Sequence, residues 1–552
     1  MSDEIKHECA VAWVRLRKSE LSPTVGLAKL ALLLEKQHNR GQDGAGMAVL
    51  RLDPVPGEPA YRVVKSAEQN PLADLLGKTA HVCDNFNARL FLGHLRYATF
   101  GKGDVGFCHP FVHKSSCLNR TVLLAGNFNL TNTPEVFESY AKMGHHPDSM
   151  ADGYIITQCI AHELGTILDA AGTPAASVSA EQFATAFQNI LPRFDGAYTL
   201  CGMTADGWSF AVRDAHAIRP GYYYICDDFA VVASERPSIQ AAFDCGTDDV
   251  QELPPGRLLL VSPQGEISWH DVLPPAERRS CVFERIYFSR ANDADIHRER
   301  KALGAALAAP ILDAIHYDLD HTFFSYIPNS AQVAFQGMLE ALWTEGLAEG
   351  RRVRFGQIAV KDAKFRTFIA DAAARKEFYK HVYDVTYGLV RPKVDTLVVL
   401  DDSIVRGNTM KNAILPMLDR LEPKRIIVAS SAPPICYPDC YDIDMSSLGE
   451  LVAFRALVQL LGPDADFSIP LQELYARFSL PELSKKIAEL LTPEGMRAKV
   501  DVIFQPITSL HMVCPGNLGD WYFTGNYPTP GGFKVLDRAL QNYLSKSSAR
   551  SY

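Results

Sequence analysis

The densest concentration of chemistry in this chain lies in Thr396–Thr409, TLVVLDDSIVRGNT. Thr396–Leu400 is a short apolar, β-branched run and predicts a buried strand. Asp401 and Asp402 close it, Ser403–Asn408 form a polar loop with a glycine at Gly407, and Met410–Leu421 carries apolar positions at helical spacing. A helix therefore opens as the loop ends. This order sets backbone N–H groups and a helix N-terminus beside two carboxylates at the C-terminal end of a strand. Such amides suit a phosphate, and the acids suit sugar hydroxyls or a hard cation carried in by a diphosphate. A ribose with a phosphate at one end and a Mg²⁺-bound diphosphate at the other combines all of these parts. Acidic strand–loop–helix turns also occur in dinucleotide folds and phosphorelay receivers, so spacing alone leaves the ligand open. The second candidate is Cys9, which leads the strand-like run Cys9–Arg15 after eight mostly polar residues. A cysteine in that setting is ordinarily a small buried hydrophobe.

The elements that must position these residues fall into two halves. A chain of 552 residues exceeds one core, so two large domains are expected. Leu273–Arg279 (LPPAERR) reads as the linker. Before it, short strands alternate with turns. After it, strands alternate with helices, which points to a parallel sheet. His297–Ala309 reads as a helix with Pro310 as its stop or kink. Hydrophobic content of 47% and charged content of 22% are ordinary for a soluble globular protein. The formal charge of −9 offers no electrostatic reason to expect nucleic acid. The N-terminus has no apolar core of a secretory signal and no apolar run approaches ~20 residues, so neither export nor membrane partnership is expected. The 12 scattered cysteines show no paired framework and read as reduced thiols in a cytoplasm.

Four segments of the first half resemble, in order and separation, the glutamine amidotransferase domain of the N-terminal-nucleophile hydrolases. They are Cys9 with its strand, His38–Gly46 (HNRGQDGAG), Gly93–Thr99 (GHLRYAT) and Ala125–Asn132 (AGNFNLTN). The resemblance implies that Cys9 is the nucleophile and the first residue of the mature chain. A free α-amine titrates near pKa ~7.7–8.0 and can serve as base to its own thiol, whereas a peptide nitrogen cannot. Residues 1–8 are accordingly expected to be a propeptide cut at Glu8–Cys9. The resemblance further implies that Arg96 holds the glutamine α-carboxylate, Asp152 its α-ammonium, and Asn127 the oxyanion. Phe128 replaces the glycine usual after that asparagine and puts the tighter turn in doubt. Gly196–Leu200, Arg213-Asp214, Ile218–Pro220 and Val232–Glu235 resemble the structural core of the same domain, which implies two stacked antiparallel sheets covered by helices.

The second half resembles the type I phosphoribosyltransferases. DDSIVRG is similar to the form of their phosphoribosyl diphosphate (PRPP) fingerprint carried by the amidophosphoribosyltransferase family. Asp401 and Asp402 are then expected on the ribose hydroxyls and metal, and Ser403, Ile404, Val405, Arg406, Gly407, Asn408 and Thr409 on the 5-phosphate. Tyr326–Ser330 (YIPNS) resembles the diphosphate segment, with Ser330 on the position associated with Mg²⁺ and Asn329 in place of the usual acid. Lys361–Ile369 (KDAKFRTFI) resembles the loop that closes over PRPP, with Lys361, Arg366 and Thr367 matching and the middle one residue shorter. Some members hold a [4Fe–4S] cluster on four cysteines. Cys281 matches the first position, while the others fall on Asp439, Gly519 and Tyr522, so no cluster is expected.

These resemblances imply a mixed α/β and α+β chain. A four-layer αββα glutaminase domain (9–272) precedes a parallel-sheet phosphoribosyltransferase domain (280–545), and 546–552 form a tail. The implied activity is transfer of the glutamine amide to PRPP, giving 5-phosphoribosylamine, the opening step of purine synthesis. Purine nucleotides as feedback inhibitors and a homotetramer are implied in the same way. Two alternatives are a glutamine-dependent sugar-phosphate amidotransferase, against which the PRPP loop speaks, and a silent PRPP sensor. Phe128, Asn329 and the shortened loop are the support for the latter.

Overall fold

The computed structural model describes residues 8–98, 101–171, 178–348, 350, 352–361, 383–441, 443 and 445–547. The strand Ala10–Leu16 shows how the first half is built. Val11 and Trp13 point to one face, and Ala10, Ala12, Val14 and Leu16 to the other; all are buried. A strand apolar on both faces must be covered on both. It lies inside a seven-stranded antiparallel sheet, in the order Gln251–Glu252, Tyr222–Ile225, Phe229–Ala233, Ala10–Leu16, Ala88–Arg96, Gly44–Arg51, Tyr61–Ser66. Val11, Trp13, Leu90 and Leu92 pack inward against Leu123, Met203 and Leu259 of a second sheet. That sheet has six antiparallel strands, in the order Ile267–Asp271, Arg257–Val261, Ser209–Arg213, Gly196–Thr204, Val122–Leu130, Phe111–His113.

Helices cover the outer faces. Pro23–Lys36 and Arg236–Phe243 bring Leu30, Leu33, Leu34 and Ile239 to the first sheet. Asp152–Ala170 and Ala180–Ile190 bring Ile156, Ile160, Phe183 and Phe187 to the second. The result is the expected αββα stack. Residues 274–279, with no regular structure, lead out of it.

The second half contains a five-stranded, all-parallel sheet in the order Arg354–Phe355, Thr322–Tyr326, Thr396–Asp401, Arg425–Ser430, Lys499–Phe504. Its apolar runs are buried on both faces, as parallel strands require. Thr396–Asp401 lies at its centre, so Asp401 and Asp402 emerge at the C-terminal edge, the usual ligand side of such sheets. The following helix opens with a wide π-helical turn, Met410–Ile414, and continues as α-helix Leu415–Asp419. One expected boundary is corrected. Pro310 does not stop a helix: Ala294–Ala306 ends before it, and Pro310 sits in the first turn of the next helix, Ala308–Ala314. There its missing N–H would have had no helical partner.

The two halves are joined by buried polar contacts. Asp195 of the first accepts from Thr529 Oγ1 (2.5 Å) and Gly531 N (2.9 Å) of the second, and Arg40 pairs with Glu284 (2.5 Å). Among the described residues, no helix is long and apolar enough to cross a membrane.

Candidate active site

Cys9 stands immediately before the strand Ala10–Leu16, whose pairing sets Ala10 opposite Leu95. That register brings the thiol to Tyr97, whose N–H donates to Sγ at 3.4 Å. Arg96 ends the partner strand. Its Nη1 donates to the Gly101 carbonyl at 3.1 Å, and the guanidinium lies 5.6 Å from the Phe107 ring centroid. Asn127 comes from the second sheet and is fully buried, yet neither its amide oxygen nor its amide nitrogen has a hydrogen-bond partner. Leaving such a group unpaired costs about 1–3 kcal/mol. A buried, unspent amide donor is what an oxyanion site requires.

Two histidines hold this region in place, a role that sequence reading did not assign. His94 Nε2 lies 3.1 Å from the Gly126 carbonyl, and the Gly126 N–H donates to His109 Nδ1 at 3.3 Å. The rings stack with centroids 3.9 Å apart. Burial pushes His94 down to about 3 and His109 well below the ordinary imidazole range. Both are neutral, as a His109 nitrogen that accepts requires. Phe128, the departure from the usual glycine, stacks 5.2 Å from His109. Its ring also lies against Gly153, where an added Cβ would meet Phe128 Cζ at 3.2 Å and Phe111 at 2.5 Å. This packing seats the N-terminus of the helix Asp152–Ala170. Burial raises the Asp152 carboxyl to about 6, against the pull of the Gly153 N–H (2.8 Å) and the Arg96 charge.

The acid pair faces a separate cavity of about 480 Å³. The Asp402 N–H donates to Asp401 Oδ1 at 3.0 Å. Ser403 donates to Asp402 at 2.9 Å, and the Ser330 hydroxyl donates to the same carboxylate. Burial raises both carboxyls, and Asp402 pushes Asp401 up further. Two desolvated acids side by side favour a cation between them. Ile404 and Val405 bury their side chains, so only their backbone can serve a ligand. Gly407 holds φ +78°, and a Cβ there would fall 2.2 Å from Leu491. Arg406 reaches back to Glu450 (2.7 Å), Asn408 is exposed, and Thr409 leads into the helix. Lys361 closes the strand Ala359–Lys361, whereas Arg366 and Thr367 lie outside the described residues.

Three lining residues were not assigned to this cavity from the sequence. Arg300, in the run RERK, reads as a solvated helix face. It is buried instead and donates to the carbonyls of Arg285 (2.6 Å) and Ser289 (2.7 Å). Its charge opposes the burial that raises the Asp402 carboxyl, while burial lowers Arg300 itself to about 10. Asn39 and Gln42 line the same cavity from the other half of the chain.

The four positions aligned with cluster cysteines do converge, but as a packed core. Cys281 pairs with Gly519 in a short parallel ladder, and Tyr522 Oη lies 3.5 Å from Cys281 Sγ while accepting from Phe283 N at 2.8 Å. Asp439 accepts from Trp521 Nε1 at 2.7 Å. One thiol, a phenol, a carboxylate and a glycine do not make the four-thiolate set that such a cluster needs.

Comparison with known proteins follows the same two sites. No family model matches the chain. It is 29% identical to the amidophosphoribosyltransferase of Bacillus subtilis, over 76% of this chain and 79% of that one. It is 27% identical to the amidophosphoribosyltransferase of Mus musculus, over 80% and 82%. The chain is a homologue of the amidophosphoribosyltransferases. A solved structure of the B. subtilis glutamine PRPP amidotransferase complexed with ADP and GMP superimposes with a TM-score of 0.66 at 22% identity, covering 94% of this chain and 97% of that one. A second, described as the allosteric regulatory enzyme of purine biosynthesis, gives 0.68 at 23%, covering 94% and 96%. The fold of both halves is therefore that of these enzymes.

Proposed function

We propose that the chain is an amidophosphoribosyltransferase: glutamine, PRPP and water yield 5-phosphoribosylamine, diphosphate and glutamate at the entry to purine synthesis. The observation that carries this reading is one chain holding a strand-end thiol and an unspent buried amide in its first half and an acid pair lining an open cavity in its second. Cys9 attacks the glutamine carboxamide, Asn127 donates to the oxygen that gains charge, and a glutamyl thioester forms as ammonia leaves. Arg96 and Asp152 hold the two ends of the amino acid. Water then releases glutamate.

At the second site Asp401 and Asp402 grip the ribose hydroxyls, and the loop Ser403–Thr409 holds the 5-phosphate. Ammonia adds at C1 of the ribose as diphosphate departs. The acid pair and Ser330 fit Mg²⁺, which takes one or two carboxylates and fills its remaining positions from phosphates and water. When bound, the ion supplies charge neutralisation for the diphosphate. Lys361 and Arg366 add positive charge from the segment expected to close over it. The packed Cys281–Tyr522–Asp439 core supports a chain without an iron–sulfur cluster. The bound ADP and GMP of the B. subtilis relative support purine nucleotides as inhibitors here. Twelve free thiols fit a reducing cytoplasm, and a homotetramer is the assembly proposed for the family.

A PRPP-dependent assay of wild type and Cys9→Ala tests the reading. Glutamine-driven product is lost in the variant and ammonia-driven product is kept. Loss of both, or of neither, refutes it.

A further inference from the structure

The loop that follows the acid pair turns its backbone carbonyls toward donors behind it. The Val405 carbonyl accepts from the Val452 N–H at 2.9 Å, and the Gly407 carbonyl from the Lys411 N–H at 2.9 Å. Between them, Arg455 Nη2 donates to the Arg406 carbonyl. Val452 and Arg455 lie in the first turn of the helix Val452–Leu461. Neither lines the cavity, whereas residues 403–407 do, so the loop stands between that helix and the cavity.

A trans peptide is planar, with its C=O and N–H directed to opposite sides. Each carbonyl drawn toward the helix therefore sends the N–H of the next residue the other way. The Val452 N–H so orients the amide of Arg406, and the Arg455 guanidinium that of Gly407. Two successive amides turned to one side make a concavity for an oxyanion. The second of these peptides is the one that needs holding. Gly407, at φ +78°, has no side chain to resist rotation. Were the 406–407 peptide to turn over, its carbonyl would meet the anion and repel it. The 405–406 peptide is held by a backbone donor, which every residue except proline carries. The 406–407 peptide depends on one side chain.

We propose that Arg455 is a positioning residue for the terminal phosphate of the sugar. It holds the Arg406 carbonyl away from the cavity and thereby keeps the Gly407 N–H facing the phosphate, without touching the ligand itself. The helix Val452–Leu461 is the template on which the loop is set, and its positively polarised N-terminal end lies behind the loop. A guanidinium suits the task because it stays charged and its donors are fixed in direction. The inference rests on the reading of residues 403–409 as the phosphate loop, and it adds to that reading a residue that lies outside the loop.

The test uses the full chain with Mg²⁺ and two probes, ribose 5-phosphate for the phosphate end of the site and inorganic diphosphate for the other end. Binding of each is measured by calorimetry. Arg455→Met and Arg455→Gln are each expected to raise the Kd for ribose 5-phosphate about tenfold or more and to leave that for diphosphate within about twofold of wild type. Retained diphosphate binding reports that the variants fold. KM for PRPP should rise more than kcat falls, and Arg455→Lys, which keeps a charged donor, should recover part of the affinity. Equal weakening of both probes would mean general damage to the fold and overturns the proposal. Unchanged ribose 5-phosphate binding in both variants overturns it as well. Wild type that fails to bind ribose 5-phosphate overturns the reading of the loop and the proposal with it, so the two failures are told apart.

Discussion

The two candidate sites solve opposite problems. The thiol site is built from strand ends of two packed antiparallel sheets, and its polar groups are neutral or buried before any ligand arrives. His94 and His109 carry no charge, Asn127 keeps an unpaired amide, and Asp152 is raised to about 6. The acid-pair site lies at the edge of a parallel sheet, beside a cavity of about 480 Å³ walled from both halves. Burial raises both of its carboxyls, and Asp402 raises Asp401 further. The first is preorganised by protein packing, while the second is open, with a wide cavity beside its acids. The difference teaches where each is vulnerable: the thiol site to single side chains, the acid pair to loss of charge.

Cys9→Ala breaks the comparison most sharply. Glutamine-driven turnover is expected to fall by roughly 10⁴-fold or more, with ammonia-driven turnover within about twofold of wild type, measured by product formation from each nitrogen source. Next, replacing Asp401 and Asp402 together by asparagine is expected to lower PRPP turnover by roughly 10³-fold with either source. Asn127→Ala sharpens the case for preorganisation. It should lower glutamine hydrolysis by roughly 10²–10³-fold without lowering Tm, because the amide that is removed makes no hydrogen bond in the resting protein. Thermal unfolding read beside kcat checks both halves of that statement.

The smallest effect is a pH dependence. Burial favours the neutral form of Asp152, so its carboxylate is present above about 6 and is lost below. KM for glutamine is therefore expected to rise as pH falls through 6, approaching about tenfold per unit, while PRPP binding keeps a separate profile. The stability sign is the reverse. A carboxyl whose pKa is raised on folding contributes stability below its unfolded value, and that contribution is lost as pH rises through 6. Asp152→Asn should raise Tm at neutral pH while weakening glutamine binding.

Much of this was legible in the sequence because it is local. The central parallel strand, the acid pair at its end and the loop that follows were read from periodicity and breaker residues, and the structure places all three as read. The αββα stack followed from the resemblance of four segments. Pro310 was misread because a proline stops one helix and starts another equally well. Arg300 was missed because its neighbours are charged, and nothing local distinguishes a buried arginine from a solvated one.

What the sequence by itself determined is the inventory: a thiol leading a strand, two acids ending another, and the turn chemistry around each. Backbone periodicity encodes such features over a dozen residues. Only the tertiary structure decided that His94 and His109 grip Gly126, that Asn39 and Gln42 wall the other site, and that Glu8 meets Arg40 and Arg219 with Glu284 behind them. Arg40 and Glu284 alone lie 244 residues apart. Their meeting depends on how whole sheets and domains pack, which no spacing within one segment records.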